Sequence, residues 1–281
     1  MISGEAIAQA YTMMRYDAVG VGPLDLSGGL EFLKQTEQKG LNWTSVNLLN
    51  EDGSTVFPAY RIKKIGDLTF AFIGLTKPTA RKGVNYTISN GQDELTRLLP
   101  ELSQSVDLIV VLSSLSLDSN KSLAEQFVDI DVIFGADTSK STIVPFQAGN
   151  SLIMQTDRQG KQIGILTLDW KNLPWGEPVS TQLKNSRARL KSITYQVSRL
   201  KSKQSQNNTS FDGKIKSLED EQEHLTEQIA RLETKSQSEN SAEDFSSYRS
   251  AFVPIPSSGS KDPRIEALVT EAKTRISKTS K

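Results

Sequence analysis

Four short apolar runs recur between residues 18 and 134, separated by stretches that helices can fill. That spacing restricts the fold more than any other feature of the chain. The runs are Ala18–Val21, Leu68–Leu75, Asp107–Leu112 and Ile130–Phe134. Leu68–Leu75 and Asp107–Leu112 are nearly free of polar residues, as strands covered on both faces are. Helical patterns follow at Leu30–Gln38, Asp93–Gln104 and Ser119–Phe127, the second with a break expected at Pro100. Strands alternating with helices predict an α/β layered domain, and the loops at the strands' C-terminal ends are where such domains place ligands.

The remaining elements fill in that domain. Residues 3–15 predict a helix with Ile7, Ala10, Tyr11 and Met14 on one face and Ser3 as its cap. Trp43–Leu49 reads as one strand, and Lys39-Gly40 before it as a helix stop. Tyr60–Ile65 alternates as a half-buried strand should, and Gly66-Asp67 turns it into Leu68–Leu75. Ser151–Thr156 and Gln162–Leu168 read as a closing β-hairpin around Arg158-Gln-Gly160. The expected domain spans 1–172.

The composition then changes. Residues 173–281 are rich in Lys, Ser, Gln and Glu. Leu183, Leu190, Ile193, Val197 and Leu200 follow a heptad seam with a gap at Ser186. Ile215, Leu218, Leu225, Ile229 and Leu232 do the same, with Gln222 at the missing core position. A polar loop, 204–213, separates them. The pattern predicts an antiparallel coiled-coil hairpin within 173–240, its helices about 20 residues and about 30 Å long. Residues 241–281 read as an extended segment, Phe252-Val-Pro-Ile-Pro256, then a last helix opened by Asp262-Pro263.

Composition excludes several functions. Lys+Arg and Asp+Glu are both 33, so no basic field recruits nucleic acid. No run of about 18 apolar residues spans a bilayer, and Met1–Gln9 lacks the pattern of a signal peptide. Cysteine is absent, which removes disulfides, thiolate metal sites and covalent haem attachment. His224 is the single histidine, set among Glu221, Glu223 and Glu227, where a solvated helix face is its role. Hydrolytic metal centres lean on imidazole for ligation and proton transfer, so this shortage bears directly on chemistry.

Tyr16-Asp-Ala-Val followed by a Gly-led loop and Asp25-Leu-Ser-Gly-Gly-Leu30 resembles the central motif of the 5′-nucleotidase branch of the calcineurin-like metallophosphoesterases. Asp107-Leu-Ile-Val-Val-Leu-Ser113-Ser114 and Ile130-Asp-Val-Ile-Phe-Gly135-Ala-Asp137-Thr138-Ser139 resemble its next two loops, in the right order. Phe57-Pro-Ala-Tyr-Arg-Ile and Phe70-Ala-Phe-Ile-Gly-Leu-Thr match its framework strands. The resemblance covers about 1–172 and implies a metallophosphoesterase-like β-sandwich with flanking helices. It also implies metal motifs upstream of the first helix, so the N-terminal strands are expected to be missing from this chain.

The resemblance implies a two-metal phosphoester hydrolase, yet the residues depart from it at each loop. Pro23 and Leu24 stand where the family has Asn and His, and Asp25 falls on an acid behind the ligands. Ser114 replaces a His ligand. Asp137 and Ser139 replace both His of a Gly-Gly-His-Thr-His loop. No imidazole remains for a binuclear centre, so no catalytic residue, metal or cofactor is expected. Asp137 is the one weak candidate for a hard cation. The expected function is a catalytically degenerate binding or scaffolding module, docking a protein partner or a second copy through the 183–235 hairpin. Two alternatives stay open. One is an active, divalent-metal 5′-nucleotidase-like hydrolase completed by missing N-terminal or partner residues. The other is a structural subunit assembling through the hairpin. The order of domain, hairpin and tail also resembles bacterial nucleotidase-like proteins found next to multihaem cytochrome modules. That implies a periplasmic or extracellular location and a multihaem cytochrome among the candidate partners.

Overall fold

A computed structural model describes residues 2–79, 83–176, 179–207, 211–238, 245–256 and 261–279. They form two compact units, Met1–Thr167 with Ser250–Lys281, and Leu168–Arg249. In chain order the first unit opens with α1 (Ile2–Met14), β1 (Val19–Gly20), a 3₁₀ turn (Asp25–Gly28) and α2 (Leu30–Gln38). β2 (Trp43–Thr44), β3 (Leu48–Asn50), β4 (Tyr60–Ile65), β5 (Leu68–Leu75) and β6 (Tyr86–Ile88) follow. Then come α3 (Gly91–Leu102), β7 (Leu108–Ser113), α4 (Leu117–Gln126), β8 (Val132–Gly135), β9 (Ile143–Ala148), β10 (Ser151–Gln155) and β11 (Gln162–Asp169). The helices α5 (Val179–Asn207) and α6 (Asp212–Ser238) precede β12 (Ser247–Pro254) and α7 (Pro263–Thr279).

Six strands form the main sheet, in the order β4-β5-β7-β8-β10-β9. β5, β7, β8 and β10 run parallel, and the flanking strands β4 and β9 are antiparallel. Alternate residues Ala71, Ile73, Ile109, Val111, Ile133 and Ile153 face α3 and α4 in one buried cluster. On the other face Gly20 of β1 lies against Leu112, and Gly164 of β11 against Met154. This α/β architecture agrees with the expected class, with three two-stranded ribbons beside the main sheet.

Several sequence expectations are corrected. Trp43–Leu49 is two strands, because Ser45 and Asn47 are buried polar residues that turn the chain from one ribbon to another. Ser151–Thr156 and Gln162–Leu168 do not pair with each other. β10 is fully buried between β8 and β9, whereas β11 pairs with β12, some 80 residues later. Ile143–Ala148 is a strand that its Pro145 concealed, and it lies at the sheet edge where Pro is tolerated. β4 is mostly exposed rather than half-buried, being the opposite edge. Pro100 lies inside α3, near its C-terminal end, without ending it. Ile7, Tyr11 and Met14 of α1 are exposed, and Ala8 is the residue that it buries. Ser3 lies within α1, not at its cap.

α7 returns to the first unit and packs on α1, where Arg275 donates to Glu5 at 3.0 Å. Asp262 opens it as expected, accepting from the Arg264 backbone N–H at 2.9 Å.

The second unit is built on the α5–α6 hairpin. Leu183 packs with Ile229 and Leu232, and Ile193 and Val197 with Ile215, which makes the helices antiparallel. They have 29 and 27 residues, about 44 and about 40 Å long, well beyond the expected 20. Gln222, at the missing core position, donates to Thr194 Oγ1 at 2.7 Å. Trp170 and Trp175 flank Pro174 with ring centroids 5.2 Å apart, and Trp175 meets Tyr248 edge-on.

Candidate functional site

The strand register lines up the loops. Leu75 pairs with Ser113, and Ser113 with Gly135, so the residues that follow sit side by side at the C-terminal edge of the sheet. The first loop joins them from the β1 ribbon. Thr76 Oγ1 donates to the Val21 carbonyl at 2.8 Å, and a Cβ on Gly22 would lie 3.9 Å from Ser114 Cβ. Gly22, Asp25, Thr76 and Ser114 therefore meet. Asp137 and Ser139 lie beside the start of α4.

Each polar residue of the cluster is engaged locally. Asp25 Oδ2 accepts from the Gly22 N–H at 2.8 Å. Burial raises its pKa above the usual carboxylate range, and the Gly22 N–H opposes this. Ser114 Oγ accepts from the Lys77 N–H at 2.8 Å and donates to the Leu75 carbonyl at 3.3 Å. Leu24 points to solvent, 75% exposed. Its carbonyl accepts from the Ser27 hydroxyl.

Asp137 is the most committed group. Oδ1 accepts from the Ser139 N–H at 2.9 Å and the Ser139 hydroxyl at 2.8 Å, and Oδ2 accepts from the Leu117 N–H at 3.0 Å. Leu117 is the first residue of α4, whose cap Ser116 accepts from Ser119 at 3.2 Å. Asp137 thus satisfies an otherwise orphaned helix N–H from outside the helix, where the macrodipole favours a negative charge. The Ser139 N–H, the Ser139 hydroxyl and the Leu117 N–H hold its carboxylate below the usual range. Gln155 fixes this loop by accepting from the Asp137 N–H at 2.7 Å and donating to its carbonyl at 3.0 Å.

A buried polar network behind the loops was not anticipated. Ser45 and Thr76 hydroxyls meet at 2.8 Å. Asn47 donates to the Thr76 carbonyl at 2.8 Å and accepts from its N–H at 2.9 Å. All three residues are fully buried. Its signal in the sequence was three polar residues, Thr44, Ser45 and Asn47, within the strand pattern Trp43–Leu49. Asp131 is a second such group. It is 7% exposed, and its carboxylate accepts from the Ile109 N–H at 2.8 Å.

The binuclear metal that the loop resemblance implies does not fit these residues. The positions that the resemblance assigns to metal ligands hold Pro23, Ser114, Asp137 and Ser139, with a single carboxylate whose two oxygens already accept three hydrogen bonds. No group of three or more His, Asp or Glu side chains poised for a metal exists among the described residues. His224 lies exposed on α6, in the other unit.

No protein-family model matches the chain, and no curated protein matches it in sequence. Solved structures do. The Thermus thermophilus sulfate thiohydrolase SoxB superposes with a TM-score of 0.56 at 22% identity, over 60% of this chain and 33% of that one. A 5′-nucleotidase precursor from the same species gives 0.55 at 22%, over 61% and 39%. A Staphylococcus aureus 5′-nucleotidase, described as putative, gives 0.52 at 18%, over 60% and 37%. Over about three-fifths of its length the chain therefore shares the fold of part of these structures, in line with the loop resemblance. It spans little more than a third of the length of these proteins, and at these identities the likeness is one of fold. No described helix is long and apolar enough to cross a membrane.

Proposed function

We propose that this chain is a non-catalytic variant of the 5′-nucleotidase architecture, acting as a binding or scaffolding module with the α5–α6 hairpin as its docking element. One observation carries the reading. The side chains at the ligand positions are spent on their own backbone, with Asp137 capping α4 and Ser114 tying the β5 and β7 loops together. Hydroxide generation at neutral pH needs a cation held by several free carboxylates or imidazoles, and this cluster offers no imidazole and, beside the committed Asp137, only the Asp25 carboxylate. We place the module outside the cytoplasm, in line with a structural neighbour described as a precursor. By the resemblance of its overall order, its assembly would be one of electron transfer, with any haem carried on another chain.

The test is metal content after loading with Mn²⁺ or Zn²⁺ and dialysis, alongside turnover of nucleotides and a generic phosphoester. Neither stoichiometric metal nor turnover is expected. Stoichiometric metal with turnover that disappears in Asp137→Ala would overturn the reading.

A further inference from the structure

The two helices of the hairpin carry opposite charge. α5 contains seven Lys and Arg and no Asp or Glu, while α6 contains seven acidic and four basic residues. Part of this is consumed inside the hairpin. Arg187 pairs with Glu233 at 2.6 Å, Arg189 with Glu221 at 2.8 Å and Lys201 with Glu219 at 2.6 Å.

Part of what remains lies on the outer faces. At 3.6 residues per turn, Lys184, Lys191 and Arg199 fall within an arc of about 80° opposite the α5 seam. All three are exposed and unpaired among the described residues. Tyr195 lies in the same arc between Lys191 and Arg199, 68% exposed. On α6, Asp220, Glu223 and Glu227 fall within an arc of about 60°, also opposite the seam, and they outnumber the one base there, Lys216. The three acids are exposed too, and among the described residues Glu227 alone of them has an ion pair, with Arg231 at 3.5 Å on the same helix. The spacings match. Lys184 to Lys191 and Asp220 to Glu227 are both seven residues, about 10 Å along the axis.

We infer that the outer face of α5 docks the outer face of α6 on a second copy of this chain. This deepens the scaffolding reading and rests on it. The complementary acids, at the matching repeat, are found on the protein itself, which favours a second copy over an unrelated anion. The contact joins two different faces, so each bound copy still presents one free face of either kind. Such a heterologous contact grows into a chain or closes into a ring rather than stopping at a dimer. Its attraction comes from exposed charges, so salt weakens it. Tyr195 supplies the apolar centre of the contact, the kind of residue that anchors interfaces.

The experiment is sedimentation of the full chain at about 20 mM and about 0.5 M salt, where screening lengths differ severalfold. Concentration-dependent species larger than a dimer are expected at low salt, with apparent affinity falling at least about tenfold at high salt. Lys184→Glu/Lys191→Glu/Arg199→Glu makes both outer faces acidic, and Asp220→Lys/Glu223→Lys/Glu227→Lys makes both basic. Each variant alone is expected to be monomeric, and their mixture to assemble. Should either triple variant lose helicity, Lys191→Glu with Glu223→Lys repeats the exchange more gently. Tyr195→Ala is expected to weaken assembly at both salt concentrations. A parent that stays monomeric at low salt overturns the inference, as does assembly indifferent to the charge reversals. A monomeric parent that instead binds nucleic acid or anionic vesicles through α5 overturns it as well. Metal content and turnover are read on the same samples, so failure of assembly leaves the non-catalytic reading standing on its own test.

Discussion

Asp131→Asn should stabilise the first unit in a strongly pH-dependent way. Asp131 precedes β8, where its N–H donates to the Ile109 carbonyl at 3.0 Å and its carbonyl accepts from Leu152 at 2.9 Å. Its backbone thus links β7, β8 and β10, and its carboxylate is carried into the sheet with them. Burial lifts its pKa from the ordinary 3.8 to about 7, with the nearby Asp129 charge adding to the rise and the Ile109 N–H opposing it. Between those two values the folded chain holds a proton that the unfolded chain has released. Stability therefore falls as pH rises through this window and levels off above about 7. The gap of about three pH units, at about 1.4 kcal/mol each, amounts to about 4 kcal/mol. This is an upper figure, since the pocket can relax around the charge. Asn keeps an oxygen for the Ile109 N–H and has no proton to lose. Urea unfolding of both proteins at about pH 4, 6 and 8 measures the difference, and comparing the two cancels the groups that they share. The variant should match the parent near pH 4 and exceed it by several kcal/mol at pH 8. A difference that does not change with pH would show that the Asp131 carboxylate ionises freely in the folded chain.

Other substitutions probe the frame of the candidate site. A Cβ on Gly74 would lie 1.9 Å from the Thr44 carbonyl oxygen, so Gly74→Ala must part β2 from β5. A loss of about 3 kcal/mol or more is expected in denaturant titration. Thr76→Val removes the hydrogen bond to Val21 and leaves Ser45 without its hydroxyl partner. It should cost about 1–3 kcal/mol by the same measurement. Asp137→Ala should cost about 1 kcal/mol near neutral pH through the lost cap of α4. The Asp137 pKa is lowered in the folded chain, so its stabilisation is present above the usual carboxylate value and fades as pH falls through the folded one. Unfolding of this variant and the parent, compared near neutral pH and in acid, checks the direction. Arg187→Ala breaks an exposed ion pair with Glu233 and should shift thermal unfolding of the hairpin by less than about 1 kcal/mol.

Much of the frame was legible because parallel, doubly covered strands read as continuous apolar runs. β5, β7 and β8 appear in the sequence within two residues of their ends, and with them the loops bearing Thr76, Ser114 and Asp137. Edge strands gave weaker signals. β9 carries a Pro, and β4 has little buried side for its alternation to record. The break between β2 and β3 was visible only as Ser45 and Asn47, and their partners Thr76 and Ser89 lie on two other segments.

The sequence by itself determined which chemistry the loops can offer. A chain with no Cys, one His on a heptad helix, and Pro23, Leu24, Ser114 and Ser139 in its loops offers no thiolate or imidazole there wherever the loops go. It likewise determined the hairpin, because a heptad seam is a local, periodic property. Contacts between segments far apart in the chain settled what the polar groups of the loops do. They turned the Asp137 carboxylate to the N-terminus of α4, buried Asp131 between strands and paired β11 with β12. Those outcomes depend on contacts between residues about 20 to 80 positions apart, and no local pattern encodes them because the energy resides in burial and hydrogen bonding between segments.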